Sequence, residues 1–242
     1  MSLRLLKFEI KNLLRDRMTF MLLAVPLLVG WLGKYLIEND TFNNPIASNM
    51  IIIALTLISG VMFGSMAGFS ILDDRDDHVF VSIQISPLSI RYYVWMKVIF
   101  VYVLSVISSL IIFAMVGGME MQWWQLILIA LLNGFQAPTN AFLVNAFASN
   151  KVEGFVAMKA TGFLMVFPII AFLFVDWKEW IFAIAPAFWG AKALQTLLYA
   201  PLIEAGSIVM HLPFLGYLLI GFVYNLFLTA MMYNVFKRKY MQ

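Results

Sequence analysis

Asp73-Asp74-Arg75-Asp76-Asp77 is the run whose residue types and spacing come nearest to chemistry. Carboxylates at its first, second and fifth positions reproduce the DDxxD spacing that holds Mg²⁺ against a diphosphate, because a hard cation takes clustered carboxylate oxygens. A cage of that kind needs a second acidic cluster. The remaining acids, Glu9, Asp16, Glu38, Asp40, Glu120, Glu153, Asp176, Glu179 and Glu204, are scattered. The competing reading is structural: an acidic cap in a docking loop, where Asp side chains accept from free backbone N–H groups and favour a helix dipole. No GxxxxGK[S/T] loop occurs, so the chain has no Walker-type cradle for a nucleoside triphosphate, and neither HExxH nor GxSxG is present. There is no cysteine, and the two histidines, His78 and His211, fall on opposite faces of the arrangement derived below. No catalytic residue, metal site, resident cofactor or nucleic-acid partner is expected.

The elements that must position this run follow from composition. Of 242 residues, 63% are hydrophobic and 12% charged, with mean hydropathy +0.90; ordinary soluble domains carry roughly a quarter charged residues. A water-soluble globule is excluded, because this much apolar surface cannot be hidden in one core. The solvent is lipid. A helix crosses the ~30 Å hydrocarbon slab with about 20 residues, and six apolar segments meet that need: residues 18–37, 49–72, 93–117, 124–148, 160–175 and 213–236. Six crossings put both termini on one side. Thirteen of the sixteen Lys and Arg residues fall on that side, leaving Lys34, Lys178 and Lys192 opposite, so both termini are expected in the cytoplasm. The apolar segment 180–200 is interrupted by Pro186, Gly190 and Lys192 and followed by Pro201. A seventh crossing there would also carry the basic tail outside, so an outer re-entrant hairpin is expected instead.

Residues 3–17 place Leu3, Leu6, Ile10 and Leu13 on one side and Arg4, Lys7, Lys11 and Arg15 largely on the other. That pattern is a basic amphipathic helix on the cytoplasmic leaflet, or simple positive-inside anchoring. The loop 73–92 reads as a docking element. After the acidic run come Val79, Phe80, Ile83 and Ile85, too few apolar residues to span and too many to leave bare, so something should cover them. Ser86-Pro87 then offers a helix restart toward Arg91 and Lys97. A short helix parallel to the membrane is expected; the alternation of Val81, Ile83 and Ile85 also permits a strand.

Within the spans, Gly60, Gly64 and Gly68 recur at i, i+4, i+8 and form a stripe for close helix packing. Asn133, Gln136 and Asn140 make a polar stripe on the fourth span, either interhelical glue or the lining of a cargo path, with Pro138 loosening the backbone ladder between them. No charge accompanies them at the midplane, which argues against a proton- or sodium-driven carrier. The 16 Met and 22 Phe residues suit an adaptable wall or lipid-facing filler.

The order of these features, an amphipathic helix, six spans, an acidic-apolar loop between the second and third, and an outer hairpin before the sixth, resembles the permease half of a type-2 ABC exporter. More closely, Ile71-Leu72-Asp73-Asp74 with Ser86-Pro87-Leu88-Ser89, Ala148-Ser149-Asn150-Lys151-Val152-Glu153-Gly154, Ala185-Pro186-Ala187-Phe188-Trp189-Gly190-Ala191-Lys192-Ala193 and Val223-Tyr224-Asn225-Leu226 are similar to segments of the fluoroquinolone-type drug export permeases. The family often has Arg-Asp-Pro where the first helix meets the first span; here Arg15-Asp16 is followed by Arg17. The resemblance implies an all-α membrane domain over 1–242 in the plasma membrane, paired with a second permease half and energised by a cytoplasmic ABC ATPase subunit that holds ATP and Mg²⁺. It makes Asp73, Asp74, Arg75, Asp76, Asp77, Val79, Phe80, Ile83 and Pro87 the ATPase-docking loop and Lys151 and Glu153 a second contact. Trp189 and Lys192 fall at the outer gate, Trp189 being alternatively an interfacial ring. The implied function is export of an amphipathic or hydrophobic cargo: a drug, a lipid or an amphipathic peptide. Two other functions fit parts of the sequence: an intramembrane Mg²⁺-dependent prenyl- or phospho-transferase using Asp73, Asp74 and Asp77, and a non-catalytic membrane assembly or immunity protein.

Overall fold

The structure is a computed structural model that describes residues 11, 17–39, 41, 43–85, 87–116 and 121–240, and these residues form helices with no strand among them. The amphipathic helix expected at 3–17 lies almost wholly outside the described residues. Helix α1 runs Arg17–Glu38. Asn44 and Pro45 start α2, Pro45–Asp76: the Asn44 side chain accepts from the Ile46 N–H at 2.9 Å, and proline at the first helical position gives up an N–H that has no partner there. A left-handed residue, His78 (φ 57°), separates α2 from the short α3, Val79–Gln84. Then come α4, Ile90–Val116, and α5, Trp123–Gly134, opened by reciprocal bonds between Gln122 and Gln125.

Two prolines break the next helices as backbone chemistry requires. Pro138 has no N–H for the Gly134 carbonyl, and the chain slips at Phe135 before resuming as α6, Gln136–Phe147. At that slip the Phe135 N–H turns to the Leu132 carbonyl (3.2 Å), and the Leu131 carbonyl is taken by the Tyr102 hydroxyl (3.1 Å). Pro168 acts likewise on Leu164, dividing α7, Lys151–Phe163, from α8, Val166–Ala171. A 3-10 helix, Trp177–Phe182, leads to α9, Phe188–Leu198, α10, Ala200–Glu204, and finally α11, Phe214–Tyr240. At 11 residues α9 rises only about 16 Å, half the hydrocarbon slab, so this segment is not a crossing.

Among the described residues five helices are long and apolar enough to cross a membrane: Pro45–Asp76, Ile90–Val116, Trp123–Phe147, Lys151–Ala171 and Phe214–Tyr240. The protein is a multi-pass membrane protein. Its centre is the broken α5–α6 helix, 72% buried against 28% for Lys151–Ala171 and for α11. α2 lies along α6 and α4, α1 along α4 and α2, and α11 along α6 and α9.

Three expectations are corrected. Asp73 to Asp76 do not cap a helix start; they form the last turn of α2, the negative end of its dipole, and so require cations. The fifth apolar helix begins at Lys151 rather than at 160, which puts Lys151 and Glu153 in its first turn and leaves three residues, Ala148 to Asn150, as the loop. Asn150 caps that helix by accepting from the Glu153 N–H at 2.9 Å, and the Glu153 carboxylate accepts from the Ser149 N–H at 2.6 Å. The helix after the docking loop starts at Ile90, with the Ser89 hydroxyl accepting from the Tyr92 N–H at 3.2 Å, while Pro87 lies in the preceding bend. The alternating Val81, Ile83 and Ile85 belong to helix α3 and its cap, not to a strand.

Lipid tails are as apolar as side chains, so helices associate here by close packing rather than by the hydrophobic effect. The glycine stripe of α2 meets the polar stripe of the central helix: Gly60 faces Gln136, Gly64 faces Ala137 and Asn140, and Gly68 faces Val144. A methyl group on Gly64 would sit 2.7 Å from the Ala137 carbonyl oxygen and 2.8 Å from the Asn140 Cβ, atoms that cannot swing aside. Gly64→Ala is therefore expected to cost about 1–3 kcal/mol by overpacking. Thermal unfolding in detergent checks it, with Gly162→Ala as control, since an added methyl there meets nothing within 4 Å beyond its own helix backbone.

Candidate functional site

At the end of the bundle where α2 stops, each helical acid meets a cation. Asp74 pairs with Lys97 and accepts from the Tyr93 hydroxyl at 3.0 Å, and Lys97, buried on α4, also donates to the Ser70 hydroxyl at 2.8 Å. Asp73 pairs with Lys151 of α7 at 2.9 Å, both well exposed, and Asp76 with Arg75 at 2.9 Å. Arg75 reaches further. Its Nη1 donates to the Tyr240 hydroxyl at 2.7 Å and its Nη2 to the Ser149 carbonyl, and the guanidinium lies 5.0 Å from the centre of the Tyr240 ring. Tyr240 donates in turn to the Ala148 carbonyl at 2.8 Å, which also accepts from Lys239 at 3.0 Å. Positive groups thus collect on the carbonyls that follow α6, as its dipole favours. With the acids dispersed onto separate partners, no group of three or more His, Cys, Asp or Glu that could hold a metal ion is found among the described residues.

Helix α3 hangs below this knot with two different faces. Phe80 and Ile83, each 8% exposed, are buried in the chain's own core beside Ile71, Tyr93, Val94 and Val98. The cover expected for them is therefore supplied by the chain itself. The outward face is Asp76, Asp77, Val81, Ile85 and Pro87, with Val81 58% and Ile85 90% exposed, and Val79 lies half-buried between the faces. Of the nine residues assigned to docking, Asp76, Asp77 and Pro87 lie on this outward face and Asp73 is exposed beside Lys151, and spacing alone missed Val81 as an outward residue.

In the middle of the bundle Asn133, Gln136 and Asn140 are all buried inside the chain. Gly190 approaches Asn133 so closely that an added methyl would overlap the amide oxygen. The Asn133 amide and the Gln136 amide nitrogen have no hydrogen-bond partner among the described residues. Neighbouring polar groups act as glue: Thr139 bonds to Thr229 of α11 at 2.8 Å, and Asn145 donates to the Gly68 carbonyl of α2 at 2.9 Å.

The opposite end holds a cluster that spacing did not reveal. Glu179, 0% exposed, pairs with Lys192, 1% exposed, at 2.7 Å. The other Glu179 oxygen accepts from the Tyr217 hydroxyl at 2.7 Å and lies 3.1 Å from His211 Nδ1. Lys192 also donates to the Phe174 carbonyl at 2.6 Å. Burial pushes the Lys192 ammonium below the usual lysine range against the pull of Glu179. One carboxylate so ties the 3-10 helix, α9, the turn before α11 and α11 itself. Trp189, on the same turn of α9, is buried against Trp180, Phe188 and Tyr224, so it is not an interfacial ring. The available signal was a pair of adjacent charges between aromatics, Trp177-Lys178-Glu179-Trp180, and a lone lysine in the apolar run of α9.

A family profile described as "Rv2686c-like: Fluoroquinolones export permease protein Rv2686c-like" matches residues 9–233. Two curated relatives from Mycobacterium tuberculosis are similar over nearly the whole chain: "Fluoroquinolones export permease protein MT2760" of strain CDC 1551 / Oshkosh and "Fluoroquinolones export permease protein Rv2686c" of strain H37Rv. Each is 24% identical, covering 96% of this chain and 92% of the relative. No solved structure matches.

Proposed function

Because the chain belongs to the Rv2686c-like family of fluoroquinolones export permeases, we propose that this export permease is the membrane half of an ATP-driven ABC exporter, working with a second permease half, the same or a related chain. In this reading α1 is a sixth span, since its 22 residues rise about 33 Å. Both termini are cytoplasmic and the membrane is the plasma membrane, in keeping with the Lys and Arg bias. A separate cytoplasmic ATPase subunit binds ATP and Mg²⁺.

The observation that carries the reading is the two-faced α3. A six-residue helix is too short to be stable alone, yet Phe80 and Ile83 root it in the core while Val81 and Ile85 stand bare beside Asp76 and Asp77. A rigidly rooted helix with an apolar and acidic outer face suits a groove on a partner that moves it. Closure of two ATPase subunits on ATP displaces α3; the buried Asp74–Lys97 pair makes α2 and α4 follow together; hydrolysis resets them. Coupling of this kind requires an element whose two positions are biased by both sites. Lys151 and Glu153 supply a second, smaller contact, joined to the first through Asp73. Trp189 and Lys192 belong to the outer gate, held by the Glu179 cluster. The cargo is amphipathic or hydrophobic, and the names of the two relatives make a fluoroquinolone the first to test.

Purified together, the chain and a cytoplasmic ABC ATPase subunit from the same organism are expected to elute as one complex with ATPase activity, while the chain alone hydrolyses nothing. A chain that binds no ATPase, or that turns over a prenyl diphosphate with Mg²⁺ by itself, contradicts the proposal.

A further inference from the structure

The end of the last helix is fastened to the docking turn. α6 lies between α2 and α11 and packs on both, so these two helices meet at their ends, through Arg75 and Tyr240. α11 is among the least buried of the apolar helices, at 28%; its other attachments are to α5, α6 and the outer hairpin, with a ring contact to α4 between Tyr233 and Trp95 at 5.0 Å. Resting on the ATPase-driven reading above, we infer that Arg75 and Tyr240 are positioning residues that carry displacement of the docking turn to the last span.

The geometry suits a strap. Arg75 sits in the last turn of α2, three residues before the left-handed His78 that swings the chain into α3. Its guanidinium fork is spent on three targets at once, the Asp76 carboxylate, the Tyr240 hydroxyl and the Ser149 carbonyl, and a planar fork holds its partners in fixed relation as a lysine ammonium does not. The Tyr240 hydroxyl closes the loop by donating to the Ala148 carbonyl at 2.8 Å, and Lys239 adds bonds to the Ala146 (3.3 Å) and Ala148 (3.0 Å) carbonyls. The ends of α2, α6 and α11 therefore move as one body when α3 is pushed. Without the strap α2 still moves, and α11 follows only through α6 and the Tyr233–Trp95 contact.

The test is transport per ATP hydrolysed in vesicles holding the full complex, with a fluoroquinolone as the probe. Tyr240→Phe keeps the ring under the guanidinium and removes both hydroxyl bonds; Arg75→Lys keeps the charge and removes the fork. Tyr240→Phe is expected to retain ATPase association and hydrolysis, and in both variants transport per ATP falls about tenfold, within the range of ordinary coupling energies. Because the chain has no cysteine, Arg75→Cys/Tyr240→Cys can be bridged by a bifunctional thiol reagent, and the bridge is expected to restore transport per ATP until it is cleaved. Unchanged transport per ATP in a folded Tyr240→Phe, or a bridge that restores nothing, overturns the strap. Parallel losses of association, hydrolysis and thermal stability reduce the pair to a structural contact and overturn it too. If the parent chain itself binds no ATPase, the underlying reading fails and takes the strap with it.

Discussion

Thermal unfolding of Glu179→Ala in detergent is expected to fall below that of the parent protein by about 3–5 kcal/mol, the cost of leaving a buried charge without its partner. Glu179 is 0% exposed and Lys192 1%, and the ammonium stands 2.7 Å from the carboxylate. Removing the carboxylate leaves Lys192 with the Phe174 carbonyl alone, and strips the Tyr217 hydroxyl and His211 of their acceptor. Lys192 must then give up its proton or draw water into the packing around Phe188 and Trp189. The double variant Glu179→Gln/Lys192→Met is expected to be milder than either single change, because most of the penalty belongs to the orphaned charge; a double-mutant cycle separates the two. A Glu179→Ala protein as stable as its parent would mean that solvent already reaches this cluster. Where the variant folds, transport is also expected to drop, since Glu179 joins the 3-10 helix and α9 to the start of α11.

The second large effect is on assembly. Val81→Glu/Ile85→Glu places two carboxylates on the bare face of α3, where Val81 is 58% and Ile85 90% exposed. The side chains that root α3, Phe80 and Ile83, are untouched, so thermal stability of the permease alone is expected to stay within about 0.5 kcal/mol of the parent, as for surface changes generally. Binding to the ATPase is expected to weaken by on the order of a hundredfold, the loss typical of a desolvated hot spot at the centre of an interface. Phe80→Ala reads oppositely: it opens the core beside Val94 and Val98, at about 3–5 kcal/mol, before it touches docking.

What could be read from the residues in order, and what could not, divides on physical grounds. Long apolar runs declare themselves because lipid demands about 20 residues without charge, and the α5–α6 break was legible because Pro138 has no N–H to give. The glycine stripe of α2 and the amide stripe on the next-but-one span were both visible, but not that Gly60 and Gly64 meet Gln136 and Asn140; periodicity shows that a face exists, not which face opposes it. The apolar segment 160–175 understates α7 because Lys151 and Lys159 interrupt the apolar run, whereas Lys151 is held at the helix start by Asp73 and Lys159 is carried on the helix itself. The acidic run was read as a helix beginning because Asp favours that position; Lys97 and Lys151, supplied from distant sequence, let it end one. The meeting of Glu179, Lys192, His211 and Tyr217 is hidden from the sequence for the same reason. Each alone is unremarkable, and their meeting is made by a 3-10 turn and a short helix that no hydropathy window resolves.

The central claim, that a passive gate is moved from the outward face of α3, is tested most directly by fluoroquinolone uptake into inside-out vesicles containing the permease with its ATPase. Uptake is expected only with both chains and Mg-ATP, and to vanish with Val81→Glu/Ile85→Glu although the spans remain folded. Uptake by the permease alone, or undiminished uptake with both carboxylates on α3, would contradict it.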